Sequence, residues 1–378
     1  MRAAASHWQE EDSEAGSMAG GTSGSADLLP HIQLFLRQVL HDLSNGDQVA
    51  VSIPVYKPRE YPLETNKNCL TIFEETTKYE EISCNSKGGS QRLVAMLRVL
   101  QIAEGLLQQN RRATKRDIYY TDPALLKGRL DQSINDICSL FHCSRSSLNL
   151  VASSKGLVTG QLCYFEEGRL INCSKRNSTS TGLPVPVHMN EVSNISSGAE
   201  FILLVEKETV FQRLTNDKFC AKNRCILLTG KGYPDVATRS FLRRLVDELH
   251  LPVYGLMDGD PYGLDILSIY RFGSLTMAYD AEVLAVPTIR WLGIFLSDLG
   301  TYGLPESCLL HLSKQDVKKA DALLSRSYLQ YLAPVWWAKL AEFRHRGVKL
   351  EIEAVSAASF SLLADQYIPS KIRGQCYV

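Results

Sequence analysis

No stretch of this 378-residue chain approaches the ~18–20 consecutive apolar residues of a membrane span. Its first residues lack a basic-then-apolar leader, so neither a membrane nor secretion is expected. Net charge is missing too. Lys plus Arg and Asp plus Glu each number 41, so composition alone gives no argument for a polyanionic partner. The ten cysteines include no CxxC pair, and Cys138, His142 and Cys143 stand too close together for a zinc site. Free thiols in a reducing nucleus or cytosol are the expectation. The triplets at Asn172, Asn177 and Asn194 match a glycosylation signal but carry no meaning without secretion. There is no internal repeat, Gly230-Lys-Gly232 lacks the spacing of a phosphate-binding P-loop, and nothing suggests an ATPase.

Two short segments far apart in the chain do carry a signal: Phe201-Ile-Leu-Leu-Val-Glu-Lys-Glu208 and Val253-Tyr-Gly-Leu-Met-Asp-Gly-Asp260. Each is an apolar run that stops abruptly on carboxylates. Such runs read as strands buried on both faces of a parallel sheet. Groups placed where those strands end lie at the carboxyl edge of the sheet, where open α/β folds bind ligands. Glu206, Asp258 and Asp260 are therefore expected to meet there. Three hard oxygen donors suit Mg²⁺, which takes few protein carboxylates and keeps room for water and phosphate. Solvated acids at strand ends are the competing interpretation.

Charge is uneven along the chain. Residues 111–176 carry eleven Lys or Arg against six Asp or Glu, whereas residues 1–30 carry five acids and one Arg. A basic middle beside an acidic start fits a nucleic-acid face, although a solvated surface would give the same count.

Residues 1–27 are rich in Ala, Gly, Ser and Glu and are expected to be disordered. Within a 28–90 extension, Leu28 to Leu43 has the apolar spacing of an amphipathic helix, and Lys87-Gly-Gly-Ser90 reads as a flexible break. From Gln91 a helical segment leads to Arg111-Arg112, and Thr114 caps a short helix, Lys115-Arg-Asp-Ile-Tyr-Tyr120. Helices over 133–141 and 144–152, followed by β-rich runs around a Glu-Gly turn, spell a winged helix over 91–185. A linker is expected at 173–186. After Ser196, apolar runs at 201–205, 225–229, 253–257 and 274–279 alternate with helical stretches, which predicts a parallel sheet with helices on both faces. The fold class is thus α/β, a winged helix followed over 196–378 by a second, parallel-sheet domain.

Arg116 and Tyr120 stand four residues apart on one short helix and share a face. Tyrosine is a poor nucleophile at its ordinary pKa of ~10 unless activated. A guanidinium can stabilise developing phenolate and grip a phosphate bidentately. With Mg²⁺ supplied from another domain, these parts suit in-line attack of tyrosine on a DNA phosphodiester. By spacing alone Tyr119 is as good a candidate as Tyr120.

A family resemblance resolves that choice. Arg116-Asp-Ile-Tyr-Tyr120, Ala152-Ser-Ser-Lys-Gly156, Val205-Glu-Lys-Glu208, Gly230-Lys-Gly-Tyr-Pro-Asp-Val-Ala-Thr-Arg239 and Asp258-Gly-Asp-Pro-Tyr-Gly263 occur in the order seen in the A chain of topoisomerase VI. The chain over 90–378 resembles still more the eukaryotic branch of that family, the meiotic double-strand-break transesterases. The resemblance implies a winged helix followed by a Toprim domain. It also implies Tyr120 as the nucleophile joined to the DNA 5′ end, Arg116 as the arginine beside it, and Lys155 as a DNA-phosphate contact. Glu206, Asp258 and Asp260 would be the Mg²⁺ ligands. The implied partners are double-stranded DNA, a second copy of the chain whose Toprim site completes the tyrosine site, a topoisomerase VI B-subunit-like protein and accessory break-forming proteins. Nuclear, chromosomal action is implied with them. Ile32, Leu36, Val39 and Leu43 are expected to dock on the B-like partner in the helix-in-groove manner. The alternatives are a type IIB topoisomerase component working in ATP-dependent strand passage and a DNA-bound scaffold whose catalytic residues are idle.

Overall fold

The computed structural model describes residues 25–59, 73–151, 154–174 and 182–378. Of the disorder expected over 1–27, residues 1–24 lie outside the described residues and 25–27 instead open the first helix; of the linker expected at 173–186, residues 175–181 lie outside the described residues. The described residues form two compact units: 25–57 with 74–151, and 58–59 and 73 with 154–174 and 182–378.

The first unit is built on helices. Helix α1 (Ser25–Ser44) is followed by a two-stranded pairing of β1 (Ala50–Pro58) with β2 (Phe73–Ser83), and then by the long helix α2 (Lys87–Gln108). The glycines at 88–89 are not a break. Ser86 caps the helix by accepting the Gly89 N–H at 2.9 Å, and a Cβ at Gly89 would lie 2.3 Å from the Ser83 carbonyl oxygen. Helix α1 packs on α2, burying Leu28, Ile32 and Val39 with Leu93, Met96, Val99 and Leu100 in the unit's own core. Ile32 and Val39 are therefore unavailable to a partner, which corrects the docking face expected for this helix. The outward residues are Leu34, Leu40 and Leu43.

Helix α3 (Lys115–Thr121) and helix α4 (Leu130–Leu140) follow. The second helix expected over 144–152 is absent. Only Ser146–Leu148 makes a 3₁₀ turn, Asn149 turns left-handed, and Leu150–Val151 pairs in parallel with Ala113–Thr114. Ser144 accepts the Ser147 N–H as a cap would, but the left-handed Asn149 ends the turn after one round and releases Leu150 to the strand pairing.

The second unit contains a six-stranded sheet. Its strands are β3 (Leu157–Gly160), β6 (Leu183–Pro184), β8 (Phe201–Val205), β9 (Cys225–Thr229), β10 (Val253–Leu256) and β11 (Arg290–Gly293), in the order β11-β10-β8-β9-β3-β6. The consecutive strands β11, β10, β8 and β9 are parallel, and β3 runs antiparallel to β9. β4 (Leu162–Glu166) and β5 (Arg169–Asn172) form the expected hairpin, to which β7 (Val192–Ser197) adds a third strand. By compactness this hairpin belongs with the second unit. The fourth parallel strand comes from Arg290–Gly293, not from the apolar run at 274–279. That run coils into 3₁₀ turns and leaves Leu275 exposed, while Trp291 and Leu292 fill the buried slot beside β10.

Helices α5 (Glu208–Asn216), α6 (Val236–Leu249) and α7 (Pro261–Phe272) cross over between strands, and α8 (Lys314–Leu324) and α9 (Pro334–Arg346) pack beyond them. Both faces of the sheet are covered. Ile202, Leu204, Ile226 and Leu228 enter one cluster with Phe241 and Trp336, while Leu203, Val205 and Leu227 enter the other with Phe211 and Tyr367.

Candidate active site

β8 and β10 pair in register, Val205 opposite Leu256, so both strands release their chains at the same edge. Glu206 leaves directly after the last paired residue, and its Oε2 accepts the Asp258 N–H at 2.9 Å. These two carboxylates meet at the carboxyl edge although 52 positions separate them. Asp260 caps α7, its Oδ1 accepting the Gly263 N–H at 2.7 Å. The tightness of that turn requires Gly263. A Cβ there would stand 2.4 Å from the Asp258 carbonyl oxygen and 3.1 Å from Glu206 Oε2.

Burial and charge make the cluster uncomfortable. Glu206 and Asp258 are almost wholly buried. Burial, and then the neighbouring Asp258 carboxylate, pushes Glu206 up to about 8. Burial raises Asp258 too, partly offset by the Lys207 ammonium 2.9 Å from its Oδ2. Burial also raises Asp260, against the hydrogen bonds of its cap. Carboxylates in this condition fit a hard cation, which would restore the charged forms. Among the described residues, however, no three Asp, Glu, His or Cys side chains are already gathered around one point. Asp258 is turned toward Lys207, and Asp260 toward its own helix.

Residues without a sequence signal complete this edge. Gly259 and Leu350 exchange two backbone hydrogen bonds of 2.7 and 3.1 Å, and the Ile352 N–H donates to Asp258 Oδ1 at 2.9 Å. Lys207 stands inside the Val205–Glu208 motif, but the motif alone gives it no role. Its ammonium links Asp258 to Glu351 and Glu353. Behind the cluster, Asp265 on α7 accepts Tyr233 Oη and the Lys319 and Arg326 side chains, which ties the 230–235 loop to that helix.

Lys155 borders the same loop. Its N–H donates to Asp235 Oδ2 at 2.7 Å and its exposed Nζ to the Lys231 carbonyl at 3.2 Å, so it clamps the 154–156 segment onto the start of α6.

The tyrosine pair lies in the other unit. Thr114 and Asp117 form a reciprocal capping box that starts α3 at Lys115. The helix buries only Ile118, which leaves Arg116 and Tyr120 exposed on the opposite side. Tyr120 is 68% exposed, and Tyr119, half-buried, packs edge-on against it with ring centroids 5.3 Å apart.

Comparison with known proteins covers both units. Residues 91–150 match the family described as type IIB DNA topoisomerase, and residues 201–372 match the Toprim domain shared by Spo11 and the topoisomerase 6 A-subunit. The chain is 48% identical to meiotic recombination protein SPO11-1 of Arabidopsis thaliana over 353 residues, 93% of this chain and 96% of that protein. Meiotic recombination protein SPO11 of Homo sapiens is 36% identical over 356 residues, 93% of this chain and 88% of the relative. The DNA topoisomerase 6 A-subunit of Arabidopsis thaliana is 36% identical over 346 residues, 91% of this chain and 80% of the relative.

Proposed function

The chain belongs to the family of Spo11 and the topoisomerase 6 A-subunit, and we propose that it is a topoisomerase-like DNA transesterase that makes the double-strand breaks of meiotic recombination. Of the two Arabidopsis relatives, the recombination protein is the more similar, which favours break formation over the strand passage of a topoisomerase. In this reading Tyr120 Oη attacks a DNA phosphorus, the bond from phosphorus to the 3′ oxygen breaks, and the 3′ hydroxyl leaves. The product is a tyrosyl 5′-phosphodiester, and the reverse attack reseals the strand. The exposed position of Tyr120 supports this role, because a nucleophile for duplex DNA must be reachable. Arg116, on the same exposed side of α3, would hold the attacked phosphate and stabilise the phenolate.

Glu206, Asp258 and Asp260 would hold a divalent cation, Mg²⁺ by its preference for oxygen donors. Such a cation supplies positive charge to phosphate oxygens. The single observation that carries the proposal is that Glu206 and Asp258 meet at the carboxyl edge of two paired parallel strands. Lys155 would face the DNA backbone. Double-stranded cutting needs two tyrosines, so a homodimer acting in the nucleus on chromosomes, beside a B-subunit-like protein, follows from the same reading.

The test is covalent capture. End-labelled duplex DNA is incubated with the assembled protein and divalent cation, then denatured without proteolysis. Label that stays with wild-type protein and is lost in Tyr120→Phe is the expected result. DNA binding without any adduct would leave a non-catalytic scaffold instead.

A further inference from the structure

The carboxylates of the proposed metal site already have a cation beside them. Lys207, between Glu206 and α5, places Nζ 2.9 Å from Asp258 Oδ2, 2.8 Å from Glu353 Oε2 and 3.4 Å from Glu351 Oε2. Its side chain is 27% exposed, against 7% for Asp258 and 42–45% for the two glutamates. Burial works against the ammonium, but Glu353 and Asp258 outweigh it and hold Lys207 above the ordinary lysine range. One ammonium is thus shared between a buried carboxylate of the metal set and two solvent-facing carboxylates outside it.

The backbone determines which contact can yield. Asp258 Oδ1 is taken by the Ile352 N–H, and the Gly259–Leu350 bonds fix the segment that carries both glutamates. Oδ2 is the oxygen of Asp258 more open to a metal, since Oδ1 already accepts a backbone N–H, and Lys207 holds it. An ammonium and a dication about 2 Å from one oxygen repel each other strongly in a buried setting. Lys349 is bound 3.1 Å from Asp316, and its charge acts on Asp260 and not on Asp258.

We infer that Lys207 is a built-in competitor for the metal. It neutralises Asp258 in the metal-free chain and passes to Glu351 and Glu353 when a divalent cation binds. The inference rests on the reading that Glu206, Asp258 and Asp260 form the metal site. Lys207 is accordingly a positioning residue, and cation loading is an exchange of partners made by one side-chain rotation. Glu353 sets the affinity by its pull on Lys207, without touching the metal.

The experiment is a Mn²⁺ titration of the intact metal-free chain, read by the paramagnetic resonance of free Mn²⁺. Lys207→Met should tighten binding by roughly tenfold or more, since a half-buried competing charge is gone. Lys207→Arg, which keeps the charge, should stay near wild type. Glu353→Gln should weaken binding several-fold in the wild-type background and have no effect once Lys207 is Met. Unchanged or weaker binding in Lys207→Met overturns the inference. So does a Glu353→Gln effect of equal size in both backgrounds, which would mean that the glutamate attracts the metal directly. Should Lys207→Met fold poorly, Lys207→Gln, which keeps a polar side chain without the charge, serves as the second background for the Glu353→Gln comparison. The underlying reading fails separately: Asp258→Asn and Glu206→Gln would then bind Mn²⁺ as wild type does.

Discussion

Helix α3 spans seven residues and buries one, whereas β8 and β10 are buried at every position. The tyrosine is presented by a local device. A capping box starts the helix, Ile118 pins it, and Tyr120 is left in solvent. The carboxylates are presented by long-range pairing, and they end in an environment that opposes their charge. The difference teaches that reach and electrostatic strain call for different scaffolds. Under the proposed function, the group that contacts the duplex sits on a small exposed helix, and the groups that attract a cation sit at a buried sheet edge that a short helix cannot supply.

The most severe way to break this comparison is to remove each group in turn. Tyr120→Phe should abolish denaturation-resistant protein–DNA adducts with no change in melting temperature, while Tyr119→Phe keeps some adduct. Adducts persisting in Tyr120→Phe would return the choice to Tyr119. Glu206→Ala or Asp258→Ala should likewise lose cleavage, measured on supercoiled or end-labelled DNA, with far-ultraviolet circular dichroism unchanged. Full cleavage by Glu206→Ala would detach the carboxylate edge from the reaction.

A pH series sharpens the electrostatic half. Glu206 binds its proton more tightly folded than unfolded, because burial and Asp258 push it from an ordinary 4.5 up to about 8. The stability linked to that proton is fully present below pH 4.5 and is lost as pH rises through about 8. Calorimetry of the metal-free chain should show the melting temperature falling across that window. Glu206→Gln should flatten the fall, and divalent cation should reverse it in wild type alone. A flat profile in wild type would contradict the strain assigned to this edge.

Helix α1 offers a smaller effect inside the first unit. Ile32→Ala removes a fully buried side chain, at a cost of about 2–5 kcal/mol measured by denaturant unfolding. Leu43→Glu, on the exposed side, should scarcely alter stability. The smallest expected change is at Lys155. Lys155→Ala should weaken DNA binding alike across sequences and lower the salt-dependence slope by about one. An unchanged slope would leave Lys155 only its clamp on the Lys231 carbonyl.

Several of these features were legible in the sequence because their causes lie within a few residues. The apolar runs that stop on Glu206 and Asp258 became β8 and β10, and Thr114 marked where α3 begins. Other readings failed where one pattern has two outcomes. The stripe of α1 is amphipathic whether it faces a partner or its own chain, and packing on α2 chose the latter for Ile32 and Val39. The apolar run at 274–279 had a strand's composition, yet Arg290–Gly293 took the place beside β10.

The sequence by itself determined α3, β8 and β10, the order of the motifs and the residue types available for chemistry, since capping and strand-end carboxylates act locally. Only the tertiary structure decided that Ile352, 94 residues away, fixes one oxygen of Asp258 and that Lys207 holds the other. The physical reason is range. A cap is set by atoms three residues apart, whereas the field and hydrogen bonds at a buried carboxylate come from every segment the chain path brings beside it.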